Sequence, residues 1–188
     1  MKSLPLKTII SEIGGEVLQG PGDITVRSFV TKRRRLSRNV LLFDLYPNGD
    51  IKLNVTSPKY KCAVVTERPA DFAAVGENIT VIWVKDINKA YWKFVEFYRN
   101  LFDIPVIGVT GTCGKTTTKE MIKHILSGRL KVNATYKSYN SAFRHLSYLL
   151  SIDDNTQAAV FEMGVAYPGD LLLSSRYFKP QVGVITNI

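Results

Sequence analysis

The sequence predicts an α/β protein in two parts: a small N-terminal α/β domain, then a doubly wound, mostly parallel sheet that reads as truncated. Three observations carry this. Short apolar segments broken by Gly and Pro fill the chain before Pro105. Strands and helices alternate after Pro105, which implies right-handed crossovers between parallel strands. A turn containing Gly111 and Gly114 leads from an apolar strand directly into a helix.

Composition sets the outer limits. The chain has 188 residues, of which 45% are hydrophobic and 22% charged, the balance of a globular protein with a real core. No apolar run approaches the roughly 20 residues that span a bilayer. Residues 1–10 lack the apolar stretch and cleavage site of a signal peptide, so a cytoplasmic, membrane-free protein is expected. In that setting Cys62 and Cys113 read as free thiols.

The elements follow in order. A short helix at 6–13 is closed by Gly14-Gly15. Strands are expected at 24–30, 40–45, 51–55 and 62–66, with Pro47-Asn48-Gly49-Asp50 as a hairpin-type turn because Asn-Gly takes positive φ cheaply. Tyr91, Phe94, Val95, Tyr98, Leu101 and Phe102 recur at three- and four-residue spacing and mark an amphipathic helix over 90–102. Pro105 ends that region, and the branched run 106–109 reads as a buried parallel strand. A domain boundary is therefore expected near Ile104, dividing 1–104 from 105–188. Beyond the glycine turn come a helix at 117–127, a strand at 131–135, a helix at 141–151, a strand at 158–162, a helix at 169–177 and a strand at 182–187. Residues 183–188 read as a central buried strand, an unusual place for a domain to stop, so the chain reads as cut short.

The net charge is +9, and six of the 25 basic residues fall within 27–38, including Arg33, Arg34 and Arg35 in succession. Such a run can be a solvated turn, an anchor for a phosphate-bearing small ligand or a nucleic-acid contact. Nucleic acid is disfavoured, because Phe29 is the sole aromatic among these residues and no zinc-finger, RNP-type or basic-zipper pattern accompanies them.

The chemistry concentrates in Val109-Thr110-Gly111-Thr112-Cys113-Gly114-Lys115-Thr116-Thr117-Thr118. Gly111 and Gly114 allow backbone torsions and close approach that a β-carbon blocks, so successive N–H groups can converge on phosphate oxygens. The helix that follows adds its unpaired N–H groups and the positive end of its dipole. Lys115 brings a full charge to the β- and γ-phosphates, and the Thr116 hydroxyl can ligate Mg²⁺. The general P-loop pattern places glycine six residues before the lysine; Val109 holds that position and Gly111 takes over.

This segment resembles the V-T-G-T-x-G-K-T-T-T signature of the Mur ligases and their relatives, the folylpolyglutamate and cyanophycin synthetases. Lys119-Glu120-Met121 after it, Glu162-Met163-Gly164 with Pro168-Gly169, and Thr186-Asn187-Ile188 are similar to the MurF/MurE-like branch, whose MurF type adds D-Ala-D-Ala to a UDP-muramyl-tripeptide in peptidoglycan biosynthesis. Gly14-Gly15-Glu16-Val17-Leu18 and the helix before the nucleotide strand are loosely similar to the family's UDP-binding N-terminal domain. The resemblance implies ATP and Mg²⁺ as cofactors, with Gly111, Thr112, Cys113, Gly114, Lys115, Thr116, Thr117, Asn140 and Asn187 at the nucleotide, Lys115 as the catalytic cation, and Thr116 with Glu162 at the metal. A carboxylate at the C-terminal end of a parallel strand does lie on the ligand side of such a sheet.

The departures fall on the substrate side. Where the MurF type has T-x-G-N-x-N-N followed by G-x-P, only Thr135 and Asn140 survive, with Arg144 and Leu146 following; its A-N-H is Val165-Ala166-Tyr167 here. Thr31 stands at the aspartate of the uridine-binding D-S/T-R element, with Lys32 or Arg33 near its arginine. The family reaction joins a carboxylate, such as that of a UDP-muramyl peptide, to an amino acid or dipeptide through an acyl phosphate. It also uses a later histidine, a carbamylated lysine and a third domain, all beyond Ile188, so an inactive fragment is expected. The alternatives are a non-catalytic ATP- or UDP-sugar-binding paralogue and, last, a nucleic-acid binder using the basic run. His124 and His145 have no ligand-spaced partner, so no zinc site is expected.

Overall fold

The computed structural model describes residues 1–46, 59–136 and 148–187. The expected turn at Pro47-Asn48-Gly49-Asp50, the strand at 51–55, Asn140, Arg144, His145, Leu146, most of the 141–151 helix and Ile188 lie outside them. Two compact units are present, Ser3–Phe94 and Met1–Lys2 with Val95–Ile188.

In the first unit, β1 (Leu4–Pro5) leads into α1 (Leu6–Ile13), which buries Leu6, Ile9 and Ile13 along one face. Gly14, at φ 72°, ends the helix with its N–H on the Ile10 carbonyl. The main sheet takes β2 (Glu16–Gln19), β4 (Ser28–Val30), β5 (Val40–Phe43), β6 (Cys62–Thr66) and β7 (Ile79–Trp83) in the order β2-β7-β6-β5-β4. All neighbours are parallel except β2, which runs antiparallel along one edge. The single strand expected over 24–30 is in fact two. Thr25–Val26 (β3) pairs with β1, whereas β4 pairs with β5, because the Arg27 amide between them turns to the Asn39 carbonyl. Strands β2 and β7 were not anticipated, although Ile79-Thr80-Val81-Ile82 has the branched composition of a buried strand.

Cys62 is fully buried and Cys113 exposed, and both are free thiols. Burial pushes the Cys62 thiol up from 9.0 to about 11. The folded chain therefore keeps this proton where the unfolded chain loses it, so stability should fall as pH rises from 9.0 towards about 11. A thiol reagent at neutral pH is expected to label Cys113 alone, with mass spectrometry of the native protein as the check.

Helix α2 (Ile87–Asn100) passes from the first unit into the second. There, β8 (Val106–Thr110), β9 (Val132–Ala134), β10 (Ala158–Glu162) and β11 (Val182–Ile185) form an all-parallel sheet in the order β11-β8-β10-β9. Helix α3 (Lys115–Ser127) links β8 to β9, and α4 (Asp170–Phe178) lies between β10 and β11. The chain thus moves one way from β8 and the other way from β10. Right-handed crossovers put the two helices on opposite faces, the doubly wound arrangement, and open a crevice beyond the C-terminal ends of β8 and β10. One expectation changes: β11 is an edge of the described sheet rather than a central strand, with Val182 50% and Ile185 62% exposed. Its apolar composition was legible, but its burial depends on neighbours, and among the described residues β8 is its sole strand partner.

Candidate functional site

The glycine turn sits at the crevice. Strand β8 is fully buried at Val106 and Val109, and Gly111 follows it at φ 133°. A β-carbon there would collide with the Thr186 hydroxyl and come within 2.8 Å of the Asn187 carbonyl, so the turn packs against the chain leaving β11. Gly114, at φ 78°, is the N-cap of α3, which begins at Lys115.

The first helical bond runs from Thr118 N–H to the Gly114 carbonyl at 2.9 Å. The N–H groups of Lys115, Thr116 and Thr117 precede it and belong to the first turn, whose donors have no acceptor within a helix. These and the dipole end make a face chemically suited to an anion. The amides of Thr112 and Cys113 are used differently: Thr112 N–H donates to the Asn187 carbonyl at 3.3 Å, and Cys113 N–H to Asn187 Oδ1 at 2.8 Å. Asn187 Oδ1 also accepts from the Thr112 hydroxyl at 2.8 Å. Thr186 donates to the Cys113 carbonyl, and its own N–H bonds the Thr110 carbonyl at 2.9 Å. Asn187, expected at the nucleotide, braces the glycine turn through these contacts. The buried Thr110 hydroxyl beneath the turn has no hydrogen-bond partner among the described residues.

Lys115 folds back over the turn, donating from Nζ to the carbonyls of Gly111 at 2.7 Å and Thr112 at 3.1 Å. Thr116 points the other way, into the sheet, and its hydroxyl donates to Glu162 Oε2 at 2.8 Å. Glu162, the last residue of β10, is 1% exposed. The fold therefore brings together Thr116 and Glu162, 46 positions apart, as two hard oxygen donors suited to Mg²⁺. Among the described residues no group of three or more His, Cys, Asp and Glu could hold a metal. A cation at this pair would take its other ligands from water and phosphate oxygens, as Mg²⁺ commonly does.

Two residues that the sequence reading named for the resemblance alone, with no role, stand beside this pair. Lys119, one turn beyond Lys115, is wholly buried, and Thr135, just past β9, links it to Glu162. A lysine four residues from another on one helix face was the available signal, but lysine on a helix is ordinarily a solvated residue. His124 lies exposed in the last turn of α3, away from the glycine turn at the helix's other end. Val165 and Tyr167, which replace the family's Ala and His, are 57% and 74% exposed.

The basic run lies in the other unit and is not uniformly solvated. Arg33 Nε and Nη2 grip both carboxylate oxygens of Asp44 at 2.7 and 2.6 Å, and Nη2 also reaches Asp71 at 3.0 Å. The guanidinium stands 4.9 Å from the Phe72 ring centre, and hydrogen bonding to Asp44 raises its pKa. Arg33 is therefore committed within its own fold, whereas Lys32, Arg35 and Arg38 are exposed.

Comparisons with known proteins bear on the family and the fold. Residues 109–188 match the family described as the Mur ligase middle domain. A UDP-N-acetylmuramoyl-tripeptide--D-alanyl-D-alanine ligase from Synechocystis sp. is 38% identical over 126 residues, covering 67% of this chain and 27% of that protein. The crystal structure of MurF from Acinetobacter baumannii superposes on 100% of this chain and 41% of its own, with a TM-score of 0.78 at 22% identity, a likeness of fold. The Thermotoga maritima MurF ligase, solved in complex with ADP, covers 87% of this chain and 38% of its own with a TM-score of 0.60 at 20% identity. The chain thus spans less than half the length of these relatives. No helix among the described residues is long and apolar enough to cross a membrane.

Proposed function

The chain belongs to the Mur ligase family, and on that footing we propose that it is the nucleotide-binding part of an ATP-dependent amide ligase of the MurF type. Its partners on this reading are ATP, a UDP-muramyl peptide and an amino acid or dipeptide. Residues 1–104 serve substrate recognition and 105–188 phosphoryl transfer. The single observation that carries the reading is the Thr116–Glu162 pair at 2.8 Å, beside a glycine turn that opens a helix.

Phosphoryl transfer asks for little covalent help. It asks for fixed donors around negative charge that spreads over the γ-phosphate. The Lys115, Thr116 and Thr117 amides and the α3 dipole would hold the β-phosphate region. Lys115 would exchange its contacts with Gly111 and Thr112 for phosphate oxygens, a strong, charge-assisted bond. Thr116 and Glu162 would hold Mg²⁺, which would supply neutralisation of the phosphates' negative charge. A substrate carboxylate would attack the γ-phosphorus of ATP and displace ADP to give an acyl phosphate, and an amine would then attack its carbonyl carbon, lose a proton and displace phosphate to leave the amide.

The test has two arms. Calorimetry of the chain with AMP-PNP should show Mg²⁺-dependent binding, and its absence would remove the nucleotide reading. A phosphate-release assay on the complete protein with UDP-muramyl peptides should show ATP turnover stimulated by both carboxylate and amine. Binding without turnover would favour a non-catalytic paralogue, which the exposed Val165-Ala166-Tyr167 substitution also supports.

A further inference from the structure

Lys119 is a charged side chain fully removed from water, and the chemistry described so far gives it nothing to do. Its contacts are specific: Nζ donates to the Thr135 carbonyl at 2.6 Å and pairs with Glu120 Oε1 at 2.7 Å. The lysine's hydrogen bond holds the Glu120 carboxyl below the ordinary glutamate range.

The Thr135 contact changes how strand β10 ends. In a parallel ladder the bonds are evenly spaced, as between β8 and β10, where the Ala159 and Met163 amides donate to the Pro105 and Val109 carbonyls at 2.9 and 2.8 Å. The β9–β10 ladder pairs Val132, Asn133 and Ala134 with Ala158, Ala159 and Val160, and Thr135 N–H extends it to the Val160 carbonyl at 3.3 Å. By the same rule the Glu162 amide should then donate to the Thr135 carbonyl. It donates instead to the Thr135 hydroxyl, at 3.1 Å, while Lys119 takes the carbonyl. One side chain has been substituted for one backbone acceptor at the residue whose carboxylate meets Thr116.

We propose that Lys119 and Thr135 are positioning residues for the magnesium-binding pair. Lys119 turns the Thr135 carbonyl out of the ladder, the Thr135 hydroxyl receives the Glu162 amide, and the end of β10 is set so that Glu162 Oε2 faces Thr116. Because Lys119 and Thr116 share α3, the same helix that offers its first-turn amides to phosphate is tied to the strand that carries the carboxylate. The proposal rests on the nucleotide reading above, since it concerns how that site is aligned.

The test uses the full chain with Thr135→Val, Thr135→Ser and Lys119→Met. Thr135→Val keeps the shape and removes the hydroxyl. It should raise the Mg²⁺ concentration for half-maximal AMP-PNP binding by about tenfold, the scale on which outer partners of metal ligands act, and leave metal-free nucleotide binding unchanged. Thr135→Ser should restore the midpoint. Hydrogen exchange at the Glu162 amide should quicken in Thr135→Val while global unfolding does not move, and Lys119→Met should follow Thr135→Val if it folds. An unchanged Mg²⁺ midpoint in Thr135→Val, or a Thr135→Ser variant as impaired as Thr135→Val, overturns the proposal. Failure of the unaltered chain to bind AMP-PNP overturns the nucleotide reading and the metal role with it. The exchange at Glu162, which needs no ligand, then still reports separately whether the hydroxyl holds that amide.

Discussion

Replacing Lys115 with alanine is expected to lower ATP affinity or turnover by at least about a hundredfold, the usual effect of removing one fixed donor from a charge-stabilising site. Two observations locate the effect at phosphate rather than in folding. The ammonium of Lys115 touches only the carbonyls of Gly111 and Thr112 among the described residues, so its removal costs the fold two hydrogen bonds of about 1 kcal/mol each at most. The turn itself remains braced by Asn187 and Thr186. Lys115→Arg should not rescue binding, because a planar guanidinium cannot occupy the place of a compact ammonium on a four-carbon stem. Titration calorimetry with ATP and a thermal melt on the same samples provide the check: a large loss of binding with a nearly constant melting temperature is expected. Binding retained in Lys115→Ala would mean that the turn is structural.

The second large effect is expected in the other unit. Arg33→Met should destabilise that unit by about 3–5 kcal/mol, because it leaves the Asp44 carboxylate buried without its bidentate partner. The Asp44 side chain is 2% exposed and that of Arg33 8% exposed, so neither charge is well supplied with water. The Thr66 hydroxyl, 3.5 Å from Asp44, is a weak substitute for the guanidinium. A double variant, Arg33→Met with Asp44→Leu, should recover much of the loss, since removing both charges removes the unpaired one. Denaturant unfolding of the two single variants and the double variant measures this. A single-variant loss below about 1 kcal/mol would place the pair among ordinary surface ion pairs.

These two residues also divide what could be read early from what could not. Lys115 was legible because its meaning is local. A branched strand, a glycine turn and a helix start occupy consecutive positions, and each has a backbone consequence that does not depend on the remainder of the chain. Most strand and helix positions in the second unit were legible for the same reason, the end of α3 at Ser127 before Gly128 among them. Arg33 was illegible. Three arginines in succession look alike as sequence, and only the approach of β5 and the turn after β6 commits this one to Asp44 and Asp71. The split of the 24–30 segment into β3 and β4 was hidden likewise, since strand partners are chosen by the sheet and not by the strand.

By itself the sequence determined the fold class and the position of the glycine turn between an apolar strand and a helix. Tertiary structure alone decided that Lys119 is buried, that β11 is an edge of the described sheet, that Asn187 braces the turn, and that Gly111 is needed for close packing against Thr186 and Asn187. The reason is the range of the interactions. Helix starts, turns and apolar periods are set by residues a few positions apart, whereas Lys119 meets Thr135 across 16 positions, Thr116 meets Glu162 across 46 and Thr112 meets Asn187 across 75. Burial and hydrogen-bond partnership over such spans are fixed only when the ladders and crossovers bring those segments together.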